Sequence, residues 1–136
     1  MASTFRKKDL QRLNTMVHKI LVVEDDQPIL DLMDLLIRKL GYEPILSTNG
    51  LESLELVKKE PPALILLDIM MTPINGWEFL EKLRGEYGMH DIPVILFTAS
   101  PLIDEKMKGI KDQKLGVLTK PVSFTELKAG IARYLG

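Results

Sequence analysis

Acidic residues cluster directly after the first long apolar run of the chain, in the sequence ILVVEDDQ. Glu24, Asp25 and Asp26 follow four apolar residues that are typical of a strand buried on both faces. Carboxylates within about 4 Å of one another would repel by roughly 4 kcal/mol per pair at an effective dielectric constant near 20. The cluster must therefore be splayed into water, be used in part as a helix cap, or be neutralised by a cation.

Single polar residues end three further apolar runs. Asp68 ends ALILLD, Thr98 ends PVILFT and Lys120 ends GVLTK. Each has an ordinary explanation on its own: a solvated strand terminus, a β-branched strand residue and a surface charge before a proline. In the same way, Asp25 or Asp26 could simply cap the helix that follows. Taken together, however, these residues offer carboxylates, a hydroxyl and a cation at the ends of four predicted strands.

This combination of groups suits phosphoryl chemistry beside a hard metal ion. Carboxylate oxygens, with water and a backbone carbonyl, are ligands that Mg²⁺ prefers. A carboxylate beside Mg²⁺ can attack a phosphoryl group, while an ammonium and a hydroxyl bind the charge on the phosphoryl oxygens. Such chemistry requires the four strand ends to meet at one edge of a sheet.

The predicted elements place them there. Turn residues and hydrophobic periodicity predict five strands alternating with five helices. Near-continuous apolar runs in the first, third and fourth strands indicate a parallel sheet with helices on both faces, whose working residues lie beyond the carboxyl ends of the strands. The last helix opens with a capping box formed by Ser123 and Glu126. The predicted strands are 18–23, 43–48, 63–68, 93–98 and 116–120, and the other helices are 28–40, 51–60, 77–87 and 103–114.

Length and composition restrict the possible function classes. The 136 residues suit one domain, which we place at 17–136 after a polar, basic tail at 1–16. No apolar run approaches the length that spans a membrane. The net charge of -1 provides no overall field for nucleic acid or an anionic membrane. The absence of cysteine excludes disulfides and thiolate sites, and with no visible signal peptide the expected compartment is the cytoplasm.

The motifs resemble those of the receiver domain of two-component response regulators, the CheY-like family. ILVVEDD, LLDIMM with Gly76 eight positions after Asp68, LFTA and LTKP occur in the family's order and spacing, and the resemblance covers 18–135. It implies an α/β, flavodoxin-like (βα)5 fold. The doubly wound parallel sheet of that fold has five strands in the order 2-1-3-4-5.

The resemblance also implies roles for the residues at the strand ends. Asp68 would be the phospho-acceptor, Thr98 the switch hydroxyl and Lys120 the cation that pairs with the phosphoryl group. Ala99, small and next to the switch hydroxyl, would leave room for that group. The family further suggests a cis peptide bond before Pro121, which is plausible because the second residue is proline.

For the metal, the resemblance implies a Mg²⁺ ion held by four residues. Asp25 and Asp68 would contact it directly, Glu24 would do so through water, and Met70 would contribute its backbone carbonyl. Asp26 then falls outside the site and is free to cap the first helix.

The sequence departs from the family's pattern in three ways. Thr72 stands where the family usually has proline, with Pro73 one place later. Val117 replaces the aromatic switch residue, so a signal would depend on the switch hydroxyl and loop motion alone. Gln113 and Lys114 replace the small residues before the fifth strand, which predicts an altered fourth helix and an altered neighbouring output face.

The resemblance implies a signalling module and not an enzyme with a separate substrate. A sensor histidine kinase would phosphorylate Asp68, and the change would reach an output protein or a second copy through the face of helix four, strand five and helix five. The chain could equally be a fragment of a larger regulator. The alternatives are a Mg²⁺-dependent aspartyl phosphohydrolase, which would normally have a second aspartate at the position of Met70, and a degenerate receiver, against which the intact acceptor set counts.

Overall fold

The computed structural model describes residues 17–99 and 103–136, so the predicted tail at 1–16 lies outside the described residues. Strands and helices alternate along this part of the chain. The strands are β1 (Lys19–Val23), β2 (Glu43–Ser47), β3 (Leu64–Asp68), β4 (Val94–Thr98) and β5 (Leu115–Thr119). The helices are α1 (Gln27–Lys39), α2 (Gly50–Lys59), α3 (Gly76–Glu81), α4 (Ile103–Lys108) and α5 (Phe124–Leu135).

All neighbouring strands of the sheet are parallel, and their order is β2-β1-β3-β4-β5. The predicted flavodoxin-like fold and its strand order are therefore confirmed. The register pairs Val23 with Leu67, Asp68 with Phe97 and Thr98 with Thr119. Consequently β1, β3, β4 and β5 end close to one another at the carboxyl edge of the sheet.

Helices cover both faces of the sheet, which explains why the central strands are apolar almost without interruption. One apolar cluster joins α2, α3 and α4 to the sheet, and a second joins α1 and α5 to the opposite face. Every residue of β3 and β4 is buried. The apolar core therefore fixes the backbone up to the last residue of each central strand, where the polar side chains follow.

Caps at the helix starts agree with the sequence pattern. The Asp26 carboxylate accepts a hydrogen bond from the backbone N–H of Ile29 at 3.3 Å, as its predicted role as the α1 cap requires. At α5, the Ser123 hydroxyl accepts from the N–H of Glu126 at 3.1 Å. Asn75 and Glu78 form a reciprocal capping box at the start of α3. This box holds the loop after β3 in place.

Two helices differ from their predicted extent. The predicted helix 77–87 is α-helical only to Glu81 and continues as a π-helical turn over Lys82–Glu86. The predicted helix 103–114 ends at Lys108, and residues 109–114 form an irregular connection to β5. The prediction was wrong there because a helical pattern of side chains cannot show the long-range hydrogen bonds that hold this connection.

Those hydrogen bonds come from Arg84, on the π-helical turn. Its guanidinium pairs with Asp112 at 3.0 Å and donates to the carbonyl of Lys114 at 3.1 Å. It also donates to the carbonyls of Met89 at 2.8 Å and Ile92 at 2.7 Å, which precede β4. One side chain thus ties α3 to the chain entering both β4 and β5. Among the described residues, no helix is both long and apolar enough to cross a membrane.

Candidate functional site

The carboxyl edge of the sheet brings the predicted polar residues together. Glu24 and Asp25 follow β1, Asp68 is the last residue of β3, Thr98 is the last of β4, and Lys120 follows β5. These four strands are consecutive in the sheet order. A single small region of the surface therefore holds three carboxylates, a hydroxyl and an ammonium group.

The three carboxylates of this region are Glu24, Asp25 and Asp68. One oxygen from each lies within 4.8 Å of the others, a spacing that a single cation can bridge. Glu24 is 1% exposed and Asp68 is 3% exposed, whereas Asp25 is open to solvent. Asp26 is not a member of this group, because its carboxylate caps α1. The geometry thus separates the three consecutive acids into two that face Asp68 and one that serves the helix.

Lys120 supplies the positive charge within hydrogen-bond range of the buried acids. Its Nζ lies 3.3 Å from Oδ2 of Asp68 and 3.4 Å from Oε2 of Glu24. The same Nζ lies 5.0 Å from the centre of the Phe97 ring, and the backbone N–H of Lys120 donates to the carbonyl of Thr98 at 2.9 Å. The peptide bond that follows, to Pro121, is cis. The lysine is held over β4 in contact with two carboxylates at once.

Glu24 carries the clearest electrostatic signature of the site. Burial, followed by the hydrogen bond to Asp68 and the negative charge of Asp68, raises the pKa of Glu24 to about 7. The charge of Lys120 and the N–H of Asp26, which donates to the Glu24 carboxylate at 3.2 Å, oppose this rise without cancelling it. The negative charge of the site therefore exceeds the positive charge that Lys120 supplies. An all-oxygen set of three carboxylates with excess negative charge fits a hard divalent cation such as Mg²⁺.

The residues beside Asp68 and Thr98 shape the approach to the site. The N–H of Met70 donates to Oδ1 of Asp68 at 3.2 Å, while the side chain of Met70 is 73% exposed. Thr98 is buried and Ala99, next to it, is exposed. Val117 is partly buried and packs against the apolar cluster under α2, α3 and α4. Exposed residues at positions 70 and 99 thus follow the buried Asp68 and Thr98 in the sequence.

Some supporting contacts had no clear signal in the sequence. The carbonyl of Ser47 accepts from the N–H of Glu24 at 3.0 Å, and the Ser47 hydroxyl lies 2.7 Å from that of Ser53, a buried residue of α2. Serines at these positions form no recognisable motif. The Thr72–Pro73 bond is also cis, and only the proline pointed to that option. The contacts of Ser47 fix the start of the acidic pair.

Gly76 shows why the spacing from Asp68 matters physically. A Cβ at this position would lie 2.8 Å from the carbonyl oxygen of Asp68 and 2.8 Å from Cα of Ile69. The N–H of Gly76 donates to the carbonyl of Ile69 at 2.9 Å. Only glycine lets the first turn of α3 pack directly on the backbone of the acceptor candidate.

Comparison with known families identifies the class of protein that has this fold and these polar residues at its strand ends. The model of the response regulator receiver domain matches residues 20–132. The chain belongs to the response regulator receiver domain family, and the recognition made from the motifs is confirmed.

Individual relatives agree with this assignment. The chain is 35% identical over 117 residues to a probable transcriptional regulator, ycf27, of Porphyra purpurea, a match that covers 86% of this chain and 47% of the relative. The N-terminal domain of a response regulator receiver protein from Methanoculleus marisnigri is 37% identical with a TM-score of 0.70, covering 88% of this chain and 97% of that one. The chemotaxis protein CheY4 of Vibrio cholerae is 25% identical with a TM-score of 0.76, covering 87% and 98%. The chain spans about half the length of the curated relatives it matches.

Proposed function

We propose that the chain is the phospho-accepting receiver of a two-component phosphorelay, in which Asp68 takes a phosphoryl group from a sensor histidine kinase. One observation carries the proposal. The carboxylates of Glu24, Asp25 and Asp68 lie within 4.8 Å of one another, and the ammonium of Lys120 lies 3.3 Å from the Asp68 oxygen. This is the arrangement that an aspartyl nucleophile needs to meet a dianionic phosphoryl group.

The acidic group would hold a Mg²⁺ ion. Asp25 and Asp68 would contact it directly, Glu24 through water, and the carbonyl of Met70 would be a further ligand. Bound Mg²⁺ supplies the positive charge that lets an acidic site accept a phosphoryl group. Its presence would also favour the ionised form of Glu24, whose pKa burial raises to about 7.

The transfer itself would be carried by Asp68. One of its oxygens forms a bond to phosphorus as the P–N bond of the kinase phosphohistidine breaks, and the electron pair of that bond returns to the imidazole nitrogen. Lys120, now 3.4 Å from Glu24, would pair with a phosphoryl oxygen, and the hydroxyl of Thr98 would donate to another. Ala99 leaves the entrance open. Water would later remove the phosphoryl group, so the chain acts on itself and has no separate substrate.

The output would pass through the face formed by α4, β5 and α5. A partner protein or a second copy would bind this face. Helix α4, which ends at Lys108 and is shorter than predicted, would change the shape of the face. The relative in Porphyra purpurea is named a probable transcriptional regulator, and this chain covers 47% of it. A receiver fragment of a larger regulator is therefore included in the proposal. We place the chain in the cytoplasm, where it would bind neither nucleic acid nor membrane itself.

Intact mass after incubation with acetyl phosphate and Mg²⁺ tests the proposal. We expect a labile addition of one phosphoryl group to the wild type and none to Asp68→Asn. No addition to the wild type, or equal addition to the variant, would contradict it. Rapid turnover of many small phosphate esters would instead favour the phosphohydrolase, although that class would normally have an aspartate where Met70 stands.

A further inference from the structure

A cavity separates the segment after β3 from α4. We call residues 69–75, which connect Asp68 to α3, the acceptor loop. On one side the cavity is lined by Met70, Met71 and Thr72 of this loop, and on the other by Ile103 and Lys106 of α4, with Trp77 between them. Its volume is about 550 Å³. Helix α4 is therefore not packed tightly against the acceptor loop, which leaves room for one to move relative to the other.

Trp77 is fixed on the acceptor side of this cavity. It follows Gly76, whose backbone packs so closely on Asp68 and Ile69 that a Cβ would lie 2.8 Å from both. The capping box of Asn75 holds the same turn. The partly buried indole also packs against the apolar cluster under α2, α3 and α4. A change at Asp68 therefore reaches the position of Trp77 through rigid backbone contacts.

Lys106 reaches Trp77 from the other side. Its Nζ lies 5.5 Å from the centre of the indole ring, within the range of a cation–π interaction. Lys106 is exposed, while Ile103, one turn earlier, is buried in the apolar cluster. Helix α4 is thus anchored at its start by Ile103 and touches the acceptor side further along through one charged contact.

We propose that Trp77 and Lys106 are positioning residues that couple the acceptor loop to α4, an inference that rests on the proposed function of Asp68. The contact belongs to the chain with a free Asp68 carboxylate and weakens when the residue is phosphorylated. Phosphorylation of Asp68 shifts the acceptor loop and Trp77, which are held to the backbone of Asp68, relative to the start of α4, which the buried Ile103 anchors.

The contact between Trp77 and Lys106 lies at a different place from the aromatic switch residue of the family, which would stand on β5. Position 117, where such a side chain would stand, is Val117, and its side chain has no ring or polar group to report a change. Trp77 and Lys106 lie instead on the α3 side of α4. The coupling therefore involves the α3–α4 surface in addition to the β5 side.

Thermodynamic reciprocity makes the proposal measurable. If the contact favours the position of α4 in the unphosphorylated chain, its removal must strengthen binding of a phosphoryl analogue by the same factor. An exposed cation–π contact corresponds to about a two- to fivefold change in an equilibrium constant. Trp77 is the only tryptophan of the chain, so its fluorescence reports directly on this contact.

The experiment is a titration of the full chain with beryllofluoride in Mg²⁺, followed by Trp77 emission. Wild type, Lys106→Met, Lys106→Arg and Lys108→Met are compared, since Lys108 is exposed on the same helix. In the wild type we expect the emission to change on saturation. In Lys106→Met we expect an altered emission before any addition and half-saturation at two- to fivefold lower beryllofluoride. Lys106→Arg, which keeps the cation, and Lys108→Met should follow the wild type.

Acetyl phosphate and intact mass are applied to the same four proteins. The coupling would be overturned, and the proposed function left intact, by two results together. All four proteins would take a full phosphoryl addition, and Lys106→Met would show the same beryllofluoride titration as the wild type. The coupling would also be overturned if the Trp77 emission of the wild type did not change at full phosphoryl addition. Failure of phosphoryl addition to the wild type would overturn both proposals.

Discussion

Glu24 is the residue at which the acidic site affects folding stability. Its pKa rises from 4.5 to about 7 because the carboxyl is buried beside Asp68. The folded chain therefore holds a proton between these pH values that the unfolded chain does not. The stabilisation of the folded chain that comes from this bound proton is fully present below pH 4.5 and is lost as the pH rises through 7.

Accordingly, without Mg²⁺ the free energy of unfolding should fall between pH 5.5 and pH 8, by about 1 to 3 kcal/mol. Urea unfolding at a series of pH values measures this change. The matched control is Glu24→Gln, which cannot ionise and should lose most of the fall. A fall of the same size in Glu24→Gln would assign the effect to other groups.

Asp25 and Asp26 provide a test of the metal site at the residue scale. Asp25→Asn removes a charge from the group of three carboxylates, so we expect Mg²⁺ affinity to fall at least about tenfold. Asp26→Asn keeps a good cap for α1 and should change the affinity less than about twofold. Calorimetric titration with Mg²⁺ measures both variants. Equal losses in the two would mean that Asp26 also serves the metal.

At the scale of elements, sequence patterns predicted the central strands and the caps well. Alternating apolar runs and turn residues predicted every strand to within one or two residues, and Asp26 caps α1 as expected. The pattern failed where side chains from distant elements decide the backbone. The connection after α4 is held by the hydrogen bonds of Arg84, whose partners are up to 30 residues away in sequence.

Replacing Arg84 should therefore cost much more than replacing an ordinary surface arginine. Arg84→Ala removes one donor from the Asp112 carboxylate and from three backbone carbonyls, so we expect about 2 to 4 kcal/mol lower stability. The control is Arg38→Ala, whose exposed pair with Asp34 should contribute about 0.5 kcal/mol or less. Urea unfolding of both proteins gives the comparison. Similar losses of stability in the two variants would contradict this role of Arg84.

The start of α3 is a second element whose position depends on one residue. Gly76→Ala places a methyl group 2.8 Å from the backbone of Asp68 and Ile69, so the acceptor loop must shift. We expect about 1 to 3 kcal/mol lower stability together with weaker Mg²⁺ binding. Gly85→Ala, with nothing within 4 Å of its added Cβ, should leave the Mg²⁺ affinity unchanged. Unfolding and calorimetric titration test the pair, and unchanged Mg²⁺ binding in Gly76→Ala would contradict the close contact.

At the scale of the whole molecule, periodicity predicted a parallel sheet with helices on both faces, but it did not predict the order of the strands. That order came from the resemblance to the receiver family, because strand order depends on which faces fit together and not on any one segment. The same holds for the site. The residue types at the strand ends suggested the chemistry, whereas the separation of Asp25 from Asp26 required either the family spacing or the structure.

Uneven burial across the sheet leads to a prediction about its dynamics. Strand β3 is buried throughout, whereas β5 pairs only with β4 and has mostly partly exposed residues. Amide hydrogens exchange fastest where a strand lies at an edge and buries few apolar side chains. Hydrogen–deuterium exchange should therefore show β5 and residues 109–114 opening faster than β1 and β3.

Phosphorylation of Asp68 should change the protection of amide hydrogens in α4 and β5, while those of β1 and β3 continue to exchange slowly. If β5 exchanged as slowly as β3 in both states, α4 and β5 could not form the adjustable part of the molecule.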